Sequence, residues 1–138
     1  MLESVSGKRR RIIVPEVKEP PEGYWSNCFV IGNLVVIAGM VGKNDRDEIV
    51  GLGDPYVQSV AAFERMKLFV EAAGGKMSDV VKLTVYLADI RDRIQFVEAR
   101  KKFFAGDFPP CAVVGGLSFA HPDYLVEIES MAILGSGG

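Results

Sequence analysis

Two carboxylates, Glu127 and Glu129, stand in the run Leu125-Val126-Glu127-Ile128-Glu129, where acidic and apolar residues alternate. In an extended strand that spacing places both on one face. A carboxylate in a partly desolvated cleft can bind a water and take its proton, because burial raises its pKa. A solvated carboxylate or a structural ion pair is the plain alternative. Cys111, in Phe108-Pro109-Pro110-Cys111-Ala112-Val113-Val114, is the second group of interest. It has three readings: a small buried hydrophobe, a thiol lining a pocket, or a nucleophilic thiolate, which needs a base or cation beside it. The one histidine, His121, precedes Glu127 by six residues, roughly 20 Å of extended chain at about 3.3 Å per residue. It reads as an exposed turn residue and not as a partner for Cys111. With Cys28 far from Cys111, the histidine and two thiols give no metal-ligand spacing. Gly115-Gly116 lies within a strand pattern and points to close packing or a bulge, not to a phosphate loop. Neither metal nor cofactor is expected.

The elements that must position these groups follow from patterning. Cys28–Ile31 and Leu34–Ala38 are apolar runs flanking Gly32-Asn33, the signature of a hairpin. A polar loop spans 43–53. Asp54-Pro55 then supplies an N-cap and a first-turn proline, and Gly74-Gly75 stops a helix ending near Ala73. Its buried stripe is Ala62, Phe63, Met66, Phe69, Val70 and Ala73, with Glu64, Arg65 and Glu71 outward. Strand 80–87 alternates, Val81, Leu83, Val85 and Leu87 on one face and Lys82, Thr84 and Tyr86 on the other. A second helix, from about Asp92 to Phe104, would bury Ile94, Val97 and Phe104 and leave Arg100-Lys101-Lys102 as a solvated face. Strands at about 111–119 and 124–134 complete the order ββαβαββ. That order is an α/β (α+β) mixed sheet with both helices on one face. The opposite face carries Thr84, Tyr86, Glu127 and Glu129 among apolar residues, too apolar for open water and too polar for a dry core. Packing against further copies, with polar clefts between them, resolves this.

The totals exclude several classes. A chain of 138 residues is one domain by size, and it buries enough surface to need no disulfide. Its net charge of -2 points to neither nucleic acid nor an anionic membrane. Lys8-Arg9-Arg10-Arg11 reads as a solvated tail, residues 1–23 as that tail and a lead-in strand, 24–134 as the domain, and 135–138 as a flexible end. No apolar run reaches membrane-span length and the N-terminus has no secretory pattern, so the expectation is a cytoplasmic protein with reduced thiols.

Four stretches together resemble the RidA/YjgF family of imine- and enamine-processing proteins: Ile31-Gly32-Asn33-Leu34-Val35-Val36-Ile37-Ala38-Gly39, Val70-Glu71-Ala72-Ala73-Gly74, Asp79 through Asp89, and Val126-Glu127-Ile128-Glu129. The resemblance implies a chorismate-mutase-like fold and a homotrimer with clefts between subunits. It also implies deaminase chemistry, hydrolysis of reactive 2-imino acids, in which an arginine binds the substrate carboxylate and a glutamate orients the attacking water. Glu127 falls on the glutamate position, as the catalytic residue. Cys111 falls on the arginine position. Trp25 lies where the family has a cleft tyrosine, with Tyr24 one residue away, and Glu98 falls near a helix position often held by Asn. Ala38-Gly39 stands where Ser-Gly is common.

The arginine's replacement has a definite consequence. A charge-assisted hydrogen bond to a carboxylate contributes roughly 1.5–3 kcal/mol, so its loss lowers activity on ordinary 2-imino acids about a hundredfold. Arg65, Arg93 or Arg100 could supply the cation from elsewhere. The expectation is therefore a cytoplasmic trimer that hydrolyses an imine, enamine or related nitrogen compound, with Cys111, Trp25 or Tyr24, and Glu98 around the substrate. The alternative is a non-catalytic small-ligand-binding or regulatory trimer. No nucleic-acid or membrane partner is expected.

Overall fold

The two apolar runs around Gly32-Asn33 pair as β2 (Cys28–Ile31) and β3 (Leu34–Val41), with Ile31 opposite Leu34 and Gly32 at φ 61° in the turn. These elements come from a computed structural model that describes residues 8–138. Before them, β1 (Arg9–Arg11) pairs antiparallel with β2, and Ile12, Val14 and Val17 are buried in the core. The basic run is thus an edge strand with exposed side chains, not a free tail. Its Lys8 end aside, the fold's body begins well before residue 24.

Helix α1 (Pro55–Ala72) starts as its sequence dictates: the Asp54 side chain accepts hydrogen bonds from the backbone of Tyr56 and Val57, and Pro55 sits in the first turn. Gly74, at φ 100°, ends it. The expected stripe is buried, but Arg65, expected outward, is buried too. It lies three residues after Ala62 and four before Phe69, so the helical period itself turns it inward.

Strand β4 (Val80–Leu87) is followed by a short 3-10 turn and α2 (Arg93–Arg100), then by β5 (Cys111–Val114) and β6 (Val126–Ile133). A bulge between Val80 and Lys82 puts Val80 in the core in place of the expected Val81. Helix α2 is shorter than the pattern suggested. Phe96 and Ala99 are its buried residues, with Phe104 buried just beyond it, whereas Ile94 is exposed and Val97 only partly covered. Phe96 wins because its ring stacks 5.7 Å from that of Phe63, which also meets Phe103 and Phe104. That aromatic cluster ties α2 to α1.

The sheet has six strands in the order β1-β2-β3-β6-β4-β5, with β4 and β5 parallel and the other pairs antiparallel. Both helices cover one face, over Val35, Ile37, Leu83, Val85, Leu87 and Ile128. Strand β5 stops at Val114, short of the expected 119. Gly115 lies against Ile90, where a Cβ would come within 2.8 Å of the Ile90 Cα. The C-terminal glycines are tied down: Gly137 N donates to Asp79 Oδ1 at 2.8 Å, and Lys76 Nζ donates to the Gly138 carbonyl.

Candidate active site

Glu127 is the second residue of β6, opposite Tyr86 on β4, so its side chain leaves the sheet on the face away from the helices. Between Ile37 and Met40 the β3–β6 register slips by one residue. The bulge sets Gly39 beneath the Glu127 side chain, and a Cβ there would lie 2.7 Å from the Glu127 Cδ. The missing side chain is what gives the carboxylate its room.

The entry to β6 is fixed from the helix layer. Gln58 of α1 is fully buried; its Nε2 donates to the carbonyls of Asp123 (2.9 Å) and Gly51 (3.3 Å). Its Oε1 accepts from the Leu125 backbone at 2.8 Å. This amide pins the turn holding His121 and Asp123 just ahead of Glu127.

Around Glu127 lies a cleft of about 400 Å³, walled by Trp25, Asn27, Gly39, Met40, Tyr124 and Arg65, with Lys18, Glu19, Lys43 and Asp47 at its margins. The Trp25 indole donates to Asn27 Oδ1 at 3.2 Å. Asn27 in turn donates to the Lys18 carbonyl and Glu19, which locks the loop bearing Lys18 and Glu19 against the cleft. The loop after β3 is closed by Asn44, which accepts from the backbone of Arg46 and Glu48, and by the Lys43–Asp47 ion pair at 3.1 Å. Asp47 takes φ 63°, the left-handed region, inside this closed loop.

The electrostatics set Glu127 apart. Burial, and secondly the nearby Glu129 carboxylate, push its pKa up from the usual glutamate range. Glu129 itself accepts a hydrogen bond from the Tyr86 hydroxyl, whose pKa is raised by that bond. Glu127, half-buried and unengaged by any side-chain hydrogen bond among the described residues, can therefore take up and release a proton at a higher pH than an exposed glutamate. Glu127 and Glu129 also line a second recess of about 360 Å³ on the sheet face, with Tyr86, Leu117, Ser118 and Phe119.

The other sequence candidates fall in different places. Trp25, 56% exposed, lines the Glu127 cleft; Tyr24, 70% exposed, packs tilted against Trp25 and does not line it. Glu98 lies on the solvent side of α2 and pairs with Lys101 at 2.9 Å. Cys111 is opposite Leu83, so it points to the helix-covered face while Glu127 points to the other. Burial raises the Cys111 pKa, against the opposing pull of Arg100 and Lys82, and Cys28 is pushed up to about 11 by burial. Both thiols are protonated at neutral pH, which disfavours the nucleophilic reading. Of the three arginines, Arg100 lies by Cys111, Arg93 is exposed, and Arg65 reaches the Glu127 cleft. Asn27, Lys43, Asp47 and Tyr124 had no signal in their own spacing. His121 is an exposed turn residue whose Nδ1 accepts from the Asp123 backbone at 3.1 Å. Among the described residues no cluster of three or more metal-ligating side chains occurs, and no helix is long and apolar enough to cross a membrane.

Known proteins share this arrangement of chain. Residues 16–134 match the family model described as Endoribonuclease L-PSP. A 2-iminobutanoate/2-iminopropanoate deaminase from Dermatophagoides farinae is 34% identical over 125 residues, which is 91% of this chain and 97% of that protein. The 3-aminoacrylate deaminase RutC of Acinetobacter baylyi is 28% identical, over 89% of this chain and 97% of its own. The crystal structure of RidA from an Antarctic Psychrobacter species superposes with a TM-score of 0.80 at 29% identity, covering 91% of this chain and 99% of that one. With the family model spanning the chain from before β2 through β6, this chain belongs to the RidA/YjgF (Endoribonuclease L-PSP) family.

Proposed function

We propose that this protein is a hydrolase of imines or enamines, releasing ammonia in a cleft that Glu127 dominates and a neighbouring subunit completes. The observation that carries the reading is Glu127 itself: a half-buried carboxylate with a raised pKa, on the edge of a cleft of about 400 Å³, over a glycine that leaves it space. The deaminase names of its relatives agree with it.

The chemistry needs one proton carrier. Ionised Glu127 takes a proton from water as the water oxygen bonds to the carbon of a protonated imine, and the C=N π pair moves to nitrogen. The resulting carbinolamine receives that proton back on nitrogen from the Glu127 carboxyl. The C–N bond then breaks, ammonia departs, the hydroxyl oxygen forms the carbonyl, and the hydroxyl proton passes to ammonia or solvent. An enamine enters the same route once it has been protonated on carbon. Positioned proton transfer of this kind contributes about 10²–10⁴-fold.

The sheet supports a reading in which subunits associate. Positions 111 and 127 face opposite sides of one sheet, so a site that uses both draws them from two chains. The uncovered face, with Val36, Val114 and Ile133 exposed beside Thr84, Met131 and Glu129, is the surface such packing would cover. A homotrimer is the assembly we propose. With no cation at position 111, turnover of the shortest 2-imino acids is weak. Small molecules, not nucleic acid, are the proposed ligands, since the chain has a single histidine and a net charge of -2.

The test is ammonia release from 2-iminopropanoate and 2-iminoglutarate, each generated in place from its amino acid by an amino-acid oxidase. Acceleration above the buffer rate, larger for 2-iminoglutarate, is expected. No acceleration on either, with a trimer in solution, would replace the hydrolase by a ligand-binding module.

A further inference from the structure

Arg65 is the cleft residue that the proposed proton chemistry leaves without a task. It is 8% exposed, a charged side chain inside the folded chain. Its Nη1 reaches the Asn44 carbonyl at 3.3 Å, a long hydrogen bond, and its buried Nε has no partner. No carboxylate among the described residues lies within salt-bridge distance of it. Burial lowers its pKa, opposed by more distant Asp47 and Tyr124. A buried cation without its counter-charge is costly unless a ligand supplies one.

The other charges at the cleft are accounted for. Lys43 pairs with Asp47, Glu19 with Arg11 at 2.5 Å, and Lys18 is exposed. Glu127 is taken up by the proton chemistry proposed above. What remains is one guanidinium lining the cleft that Glu127 also lines, with a planar fork that matches a carboxylate.

Resting on the hydrolase reading, we infer that Arg65 binds a carboxylate of the substrate, and that this carboxylate is spaced from the C=N bond. The spacing follows from the layers. Arg65 rises from α1 on the helix-covered side of the sheet, whereas Glu127 leaves the opposite face, so a ligand touching both must span the cleft. A simple 2-imino acid has its only carboxylate on the carbon where the water of Glu127 must attack; a dicarboxylic imine such as 2-iminoglutarate has a second, distal carboxylate for Arg65.

Titration calorimetry with 2-oxoglutarate and its 5-monomethyl ester isolates that group without turnover. Wild type is expected to bind the dicarboxylate about 10- to 100-fold more tightly than the ester. Arg65→Gln should abolish the difference while leaving ester binding and melting temperature in place, and Arg65→Lys should restore part of it. Glu127→Gln should leave the difference intact. Equal binding of both probes by wild type, or a preserved preference in folded Arg65→Gln, overturns the inference. Should Arg65→Gln fail to fold, Arg65→Lys decides: an undiminished preference there overturns it. A preference that depends on Arg65, together with no ammonia release from 2-iminoglutarate, would sink the hydrolase reading and leave the anion site standing.

Discussion

At the scale of single residues, the account makes Glu127 a titrating group and not merely a polar one. Its raised pKa places the acid limb of the rate profile above the usual glutamate range: activity is lost as falling pH protonates the base. Removing the Glu129 charge with Glu129→Gln relieves the second cause of the shift, so the limb should move to lower pH in kcat/KM profiles. The same shift has a stability consequence of opposite sense. A carboxyl whose folded pKa is raised disfavours the folded state once pH exceeds its unfolded value, so Glu127→Gln should be at least as stable as wild type at neutral pH. Gly39→Ala tests the space beneath the carboxylate. The clash falls on the movable end of Glu127, so activity should drop by tenfold or more in a steady-state assay while the melting temperature changes little. Glu127 was legible from its alternating run. Arg65 is legible only from its spacing to Ala62 and Phe69, which turns it inward against the outward placement its charge suggests.

At the scale of elements, β6 is where fold and chemistry meet, and Gln58 is what holds its entry. Gln58→Leu keeps the volume but leaves the Asp123 carbonyl and the Leu125 N–H without partners. Urea denaturation should show a loss of about 2–6 kcal/mol, at roughly 1–3 kcal/mol for each orphaned group. The strands, the hairpin and the capped first helix could be read from alternation, Gly32-Asn33 and Asp54-Pro55, because each is decided locally. The bulge at Gly39, the burial of Phe96 in preference to Ile94 and the early end of β5 were not legible. Those depend on what packs across from them: Glu127, Phe63 and Ile90. Likewise, a one-dimensional match placed Cys111 and Glu127 at positions that act together, while only the strand register reveals that they face opposite sides.

At the scale of the whole molecule, opposite-facing positions and an uncovered, partly apolar sheet face make association part of the proposed site. Sedimentation equilibrium should give three times the 15.1 kDa of the chain. A charge placed on that face, Val36→Lys with Val114→Lys, should dissociate the assembly and remove turnover together; full activity in a dissociated monomer would confine the site to one chain. The most direct test of the central claim is ammonia release from 2-iminoglutarate by Glu127→Gln and wild type at equal trimer concentration. The account predicts turnover in wild type and a loss of about 10²-fold or more in the variant, with its oligomeric state unchanged. Equal turnover by the two proteins would remove Glu127 from the chemistry and contradict it.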